Sequence, residues 1–366
     1  MDYKFEGETI KRKLSDSGIY RSLDNYDPEP EDNKISTGYS YPIKAFEKFL
    51  GYYDSYYNIA YNPSISFNTD FSLIFSACRY NKNSGNDDVM LDGKPADKYM
   101  ERYRKPLEFF RKNNNIKGSF SFYIKRYRKY SDAKGMSESS AVASAVSRSI
   151  VKNILGEGAG RDDSIVSRYA RMVSGSGTRA AVNGPSIWLS YPGINENESY
   201  AVKIPADVTK INYAIFPANI DYQTTSAHSE SVKSPFYNSW ISEKYRRLSD
   251  IVSRGFNTED LMERGLEDMF SLNSVLMSRG NIVQTPESLA LLKIFLEFRK
   301  KNPGIYITGD TGPSLMVMSS DKRLLDEFLE ISGGNYLKGG HNPDAHKKYM
   351  NEFRKEAEEY FSSLNQ

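Results

Sequence analysis

Residues 304–318 read Gly-Ile-Tyr-Ile-Thr-Gly-Asp-Thr-Gly-Pro-Ser-Leu-Met-Val-Met, a pattern that few folds accommodate. β-branched and aromatic residues run up to Gly309, turn-forming residues occupy 310–313, and an apolar run leaves. This predicts a buried hairpin with an exposed tip. Asp310 stands at the tip beside Gly309 and near Gly312, and neither glycine puts a side chain in the way of a ligand. The aspartate either closes an Asx turn or presents its carboxylate to a ligand, and the segment alone leaves both readings open.

Two further segments are suited to anions. Lys134-Gly135-Met136-Ser137-Glu138-Ser139-Ser140-Ala141 runs into a small-residue helix predicted over 141–155. Serines at a helix start offer hydroxyls and free backbone N–H groups to an anion, and an ordinary N-cap uses the same residues. A second helix, predicted over 162–173, leads into Ser174-Gly175-Ser176-Gly177-Thr178-Arg179. That stretch reads as a loop closing around a carboxylate or phosphate, with Arg179 making a paired contact.

The chain has 366 residues, which predicts two lobes. Residues 1–37, charged and poor in aliphatics, read as an irregular extension. Residues 38–194 form the expected first lobe, with a helix over 99–112 and a strand over 118–130. The turn-rich stretch 192–197 marks the boundary. Residues 195–366 form the second lobe: strands over 199–204 and 211–216, a long loop over 221–234 holding His228, helices across 236–302, a helix over 321–331 and an extra terminal helix over 343–364.

Composition narrows the chemistry. Cys78 is the only cysteine, and His228, His341 and His346 are the only histidines. An intramolecular disulfide, a thiolate metal cluster and a histidine-centred triad are therefore not expected. Catalysis falls to Asp, Glu, Lys, Arg, Ser or Tyr. The formal net charge of +2, from 49 basic and 47 acidic residues, gives no global field favouring nucleic acid. No apolar run approaches the roughly 18 residues of a membrane span. The opening residues lack the apolar core of a signal peptide, which predicts a cytoplasmic location.

Four separated segments resemble one family in the same order along the chain. Residues 166–179, Val-Ser-Arg-Tyr-Ala-Arg-Met-Val-Ser-Gly-Ser-Gly-Thr-Arg, are similar without gaps to a helix and Ser-Gly-Ser-Ala-Cys-Arg turn of the mevalonate diphosphate decarboxylases, members of the GHMP superfamily of small-molecule kinases. Trp188 falls where that family has a tryptophan. Glu47-Lys48-Phe49-Leu50-Gly51-Tyr52-Tyr53-Asp54 with Asn62-Pro63-Ser64-Ile65-Ser66 resembles its Ile-Lys-Tyr-Trp-Gly-Lys-Arg-Asp and Asn-Ser-Ser-Ile-Ser. Ser139-Ser140-Ala141 resembles the end of its phosphate loop, and Gly309-Asp310-Thr311-Gly312-Pro313 its Asp-Ala-Gly-Pro turn.

The resemblance implies an α+β, two-lobed GHMP-kinase-like fold, with a ribosomal S5 domain 2-like first lobe and a ferredoxin-like second lobe, often homodimeric. It places Asp310 at the catalytic aspartate position near the tertiary 3-oxygen of a mevalonate. Arg179 would hold the substrate carboxylate and Lys48 would stand near the phosphate on that oxygen, with Ser139, Ser140, Ser176, Gly177 and Thr178 lining the substrate. Two departures bear on the reaction. Glu138 replaces a small residue of the phosphate loop, where a carboxylate would repel ATP, and Tyr52 and Tyr53 replace two cations after Gly51. The expected activity is therefore the ATP-free conversion of mevalonate 3,5-bisphosphate to isopentenyl phosphate, with no cofactor or metal. An ATP- and Mg-dependent diphosphomevalonate decarboxylase, with Glu138 turned out of the loop, is the alternative. A non-catalytic ligand sensor on the same scaffold is the third reading, and retained Lys48, Arg179 and Asp310 argue against it.

Overall fold

The computed structural model describes residues 1–83, 85–130, 136–218, 224–342 and 344–364. Contrary to the irregular extension expected of residues 1–37, the chain opens with helix α1 (Tyr3–Asp16), capped by the Asp2 carboxylate, which accepts from the N–H groups of Lys4 and Phe5. Its buried stripe is only Gly7, Ile10 and Leu14, a narrow 3.6-residue pattern submerged among charges. Gly7 is obligatory there, since a Cβ would lie 2.1 Å from the Tyr191 ring. The helix lies along a later helix, with Tyr3 stacked on Tyr245 at 5.5 Å and Lys11 paired with Glu198 at 2.6 Å.

Strands β1 (Ile35–Ser40), β2 (Ile43–Glu47), β3 (Tyr52–Asp54), β4 (Ile59–Ala60), β5 (Ser64–Asn68) and β6 (Ser72–Asn81) follow. After β7 (Asp88–Leu91) and β8 (Lys94–Pro95) come helix α2 (Asp97–Asn114) and β9 (Ser119–Arg128). A five-stranded sheet runs β1-β6-β9-β7-β8, with β7 and β9 parallel and the other pairs antiparallel. Helix α3 (Glu138–Arg161) packs on β1 and β6. Its Ala and Ser residues allow close approach, and at Gly38 on β1 a Cβ would come within 2.6 Å of the Ala145 carbonyl. Helix α4 (Asp163–Val173) starts at an Asp162 cap. Residues 174–179 do not form the expected loop: Gly175–Ala180 is a short helix, α5.

Strands β10 (Ser186–Trp188) and β11 (Ala201–Lys203) complete a second sheet, β11-β10-β5-β2, in which β2 is an edge. Its register breaks between Ala45 and Glu47, which re-aims the side chains that follow. The third sheet, β13-β14-β12-β15, uses β12 (Asn212–Phe216), β13 (Tyr306–Gly309), β14 (Leu315–Ser319) and β15 (Leu337–Lys338). The expected hairpin is β13 and β14, with Gly309 opposite Leu315.

Helix α6 (Thr224–Ser231) occupies part of the segment 221–234 expected to be a long loop, of which residues 221–223 lie outside the described residues. It is followed by α7 (Tyr237–Arg254), α8 (Thr258–Met277), α9 (Pro286–Arg299) and α10 (Lys322–Ser332). Helix α9 starts with proline at N1 behind a Thr285 cap, as the sequence predicts. Helix α8 packs on both β2 and β13, so one helix joins the edge of the second sheet to the hairpin of the third. The last helix, α11 (Ala345–Ser363), lays Phe353, Ala357 and Phe361 over Leu73, Phe75, Ala77 and Tyr123 of β6 and β9. No helix among the described residues is long and apolar enough to cross a membrane.

Candidate active site

The site forms where β2, α5, α8 and the β13–β14 hairpin meet. Strand β2 is buried along its whole length, yet it carries Lys44 and Glu47 and is followed directly by Lys48. Charges taken out of water need partners, and these have them. Lys44 Nζ donates to Asp310 Oδ2 at 2.8 Å, joining the edge strand to the hairpin tip. Lys48 Nζ donates to Thr308 Oγ1 at 2.9 Å and reaches the Gly265 carbonyl at 3.4 Å. The main chain of Lys48 is held from both sides: its N–H donates to Asp268 Oδ2 at 2.8 Å, and its carbonyl accepts from Asn62 Nδ2 at 3.1 Å.

Behind Lys48 lies a fully enclosed ionic cluster. Lys244 pairs with Glu47 and with Asp268, each at 2.7 Å, and Arg247 pairs with the same two carboxylates at 3.0 and 3.3 Å. Lys244 and Arg247 are one turn apart on α7, while Gly265 and Asp268 are one turn apart on α8, so each helix presents two polar groups on one face.

Arg179 on α5 is buried, its guanidinium over the Phe49 ring at 5.5 Å. Among the described residues its one hydrogen bond is long, Nη1 to the Glu47 carbonyl at 3.4 Å, and Nε has no partner. A desolvated guanidinium so weakly satisfied suits an anionic ligand. Burial pulls its pKa to about 10, against the opposing pull of Asp310. Burial likewise lowers Lys48 to about 8, opposed by Asp268 and Asp310. Burial acts to raise Asp310, but Lys44, Lys48 and Arg179 outweigh it and hold the carboxyl below its ordinary range. Counting Lys244 and Arg247, five cations meet four carboxylates, Glu47, Glu243, Asp268 and Asp310. The surplus is positive, as a multiply anionic ligand requires.

The expected site residues thus fall into two groups. Lys48 and Arg179 each act electrostatically on Asp310. Thr178, also on α5, is buried with its hydroxyl unpartnered, and Ser176 shares a hydrogen bond with Ser174 at 2.9 Å. Gly177 is a packing residue: a Cβ would lie 2.7 Å from that of Ala143 on α3. At the start of α3, Ser139 is exposed and the Ser140 hydroxyl donates to the Ser137 carbonyl at 2.7 Å. Lys134 and Gly135 lie outside the described residues. Glu138 is not left facing an anion, because Arg128 grips both its oxygens at 2.6 and 2.7 Å, tying the end of β9 to the start of α3. Among the described residues no group of three or more His, Cys, Asp or Glu side chains is placed to hold a metal.

His228, on the segment expected to be a loop, instead lies on α6 and packs against Phe49 and Tyr52 at 5.1 Å from each ring. Its Nδ1 accepts the Gly51 N–H at 2.9 Å, and burial lowers its pKa to about 4, so the ring is neutral with its proton on Nε2. Sequence reasoning missed Lys44, Glu47, Asp268, Lys244 and Arg247. Their signal was charge inside an apolar pattern: Lys44 among Ile43, Ala45 and Phe46, and Asp268 among Leu261, Leu266, Met269 and Leu272.

The architecture matches solved mevalonate diphosphate decarboxylases. That of Enterococcus faecalis superposes with a TM-score of 0.72 at 20% identity, over 84% of this chain and 97% of its own. A mevalonate-3-kinase of Thermoplasma acidophilum gives a TM-score of 0.68 at 13% identity, over 85% and 96%. A family described as the diphosphomevalonate decarboxylase-like N-terminal domain matches residues 40–201. These define the class, an α+β GHMP-type fold. Sequence relatives narrow it. The mevalonate 3,5-bisphosphate decarboxylase of Thermoplasma volcanium is 51% identical over 97% of this chain and 95% of its own, and that of Thermoplasma acidophilum is 49% identical over 97% and 88%. The chain belongs to the mevalonate 3,5-bisphosphate decarboxylase family.

Proposed function

We propose that this protein converts mevalonate 3,5-bisphosphate to isopentenyl phosphate, phosphate and CO2, without a nucleotide, at the cluster of Lys44, Lys48, Arg179 and Asp310. The observation that carries the reading is an ionised Asp310 set among three cations, in a chain about half identical to its named relatives. A substrate already phosphorylated on O3 needs no phosphoryl donor. That chemistry, rather than repulsion by Glu138, supports independence from ATP, because Arg128 already neutralises Glu138.

In this reading Arg179 orients the C1 carboxylate and Lys48 holds the 3-phosphate. The C3–O bond breaks, and its electron pair leaves on the phosphate oxygen. Asp310 stabilises the cation that develops at C3. The C1–C2 bond then breaks, its electrons form the C2=C3 double bond, and CO2 departs.

Purified protein given mevalonate 3,5-bisphosphate in chelator, with no nucleotide, is expected to release phosphate, CO2 and isopentenyl phosphate in equal amounts by mass spectrometry. Turnover confined to diphosphomevalonate plus ATP would overturn the proposal. The rate should also depend on Lys48. Because its pKa lies at about 8, the ammonium is charged below that pH and lost above it, so kcat/KM should fall on the alkaline side of about pH 8. In Lys48→Arg that alkaline limb should move to higher pH; a limb that stays in place would assign it to another group.

A further inference from the structure

Lys44 was not singled out by motif, and its place is unusual. It lies on a buried edge strand between Ile43 and Ala45, its side chain 7% exposed, while the carboxylate it meets is 33% exposed. Asp310 follows Gly309 and sits two residues before Gly312, in a stretch whose backbone does little to fix a side chain. A free carboxylate at such a tip would rotate and take up water. Lys44 Nζ removes that freedom by taking Oδ2 at 2.8 Å.

We infer that Lys44 is a positioning residue for the elimination: it occupies one oxygen of Asp310 and so presents the other, charged and fixed in direction, to C3 of the substrate. This rests on the proposed role of Asp310. A lysine suits the task because it is a compact point charge with several donors. The groups facing Asp310 are Lys44 on β2, Lys48 just after it, and Arg179 on α5. Removing Lys44 leaves burial opposed by two cations instead of three, so the Asp310 carboxyl must rise. The acid limb of kcat, below which Asp310 is protonated and inactive, must rise with it.

The test is a double-mutant cycle of Lys44→Met and Asp310→Asn, with Lys44→Arg alongside, assayed by CO2 release from mevalonate 3,5-bisphosphate across pH, with melting curves for each variant. Lys44→Met is expected to lower kcat on the order of ten- to a hundredfold, since a misaimed catalytic group costs about that much. Its acid limb should move to higher pH. Lys44→Arg should restore most of the rate. Against Asp310→Asn, the further loss from Lys44→Met should be less than about threefold, since residues that act through one another are not additive. Independent, multiplicative losses, an unmoved acid limb or a wild-type rate in Lys44→Met would each overturn the inference while leaving the proposed reaction intact. Should Lys44→Met fail to fold, Lys44→Gln carries the same comparison. A wild-type protein that releases no CO2 would overturn the reaction, and this inference with it.

Discussion

Asp310→Asn is expected to lower kcat by on the order of a hundred- to a thousandfold, the usual effect of losing one group aimed at charge that develops in a transition state. Asparagine keeps the shape of the side chain and can still accept from Lys44, so the hairpin should remain folded. What disappears is negative charge facing C3. KM should stay the same or fall, because the removed carboxylate repels the substrate carboxylate and 3-phosphate that Arg179 and Lys48 attract. Steady-state kinetics on mevalonate 3,5-bisphosphate separate the two parameters. Product formation at the wild-type rate would show that Asp310 does not face the reacting carbon.

Asp268→Ala is expected to destabilise the fold by roughly 3–5 kcal/mol, the cost of breaking a buried ion pair from one side. Asp268 is fully enclosed and accepts the Lys48 N–H, and it neutralises Lys244 and Arg247 together with Glu47. Without it, Lys244 and Arg247 share Glu47, and only Arg247 keeps a second carboxylate, Glu243 at 3.8 Å. Thermal or urea unfolding reads the loss directly, and a melting temperature unchanged to within a degree would exclude a structural role for the cluster. Burial acts to raise Asp268, but Lys244, Lys48 and Arg247 hold it below its ordinary range. A carboxyl lowered by folding contributes stability above its unfolded pKa and loses it as the pH falls through the folded value. Wild type should therefore lose stability on acidification, and Asp268→Ala should lose less.

The elements with a clear period were legible in the sequence. The β13–β14 hairpin, the small-residue helix α3, the proline-led start of α9 and the apolar stripe of α11 each carry their own signal, and the structure forms all of them. Helix α1 was missed because three buried positions in a charged stretch make almost no pattern, and the aromatic surface that receives them lies elsewhere in the chain. Residues 174–179 were read as a loop because glycines alternate there, but Gly177 lets the short helix sit against α3 and Gly175 lets it approach Phe49 and Tyr52. In the candidate site, Asp310 and Arg179 were singled out by their neighbours in sequence and Lys48 by the family resemblance. Lys44 and Asp268 were not, because the partners of each lie on other elements of the chain, Asp310 for Lys44 and Lys244 and Arg247 for Asp268. A charge in an apolar stripe says only that it has a partner, not which one.

The terminal helix bears on assembly. By seating Phe353 and Phe361 against Phe75 and Tyr123, α11 uses up the broad aromatic wall that β6 and β9 would otherwise offer to a neighbour. Each molecule supplies its own roof there. The homodimer that the family resemblance implies would have to meet across some other surface, out of reach of that wall.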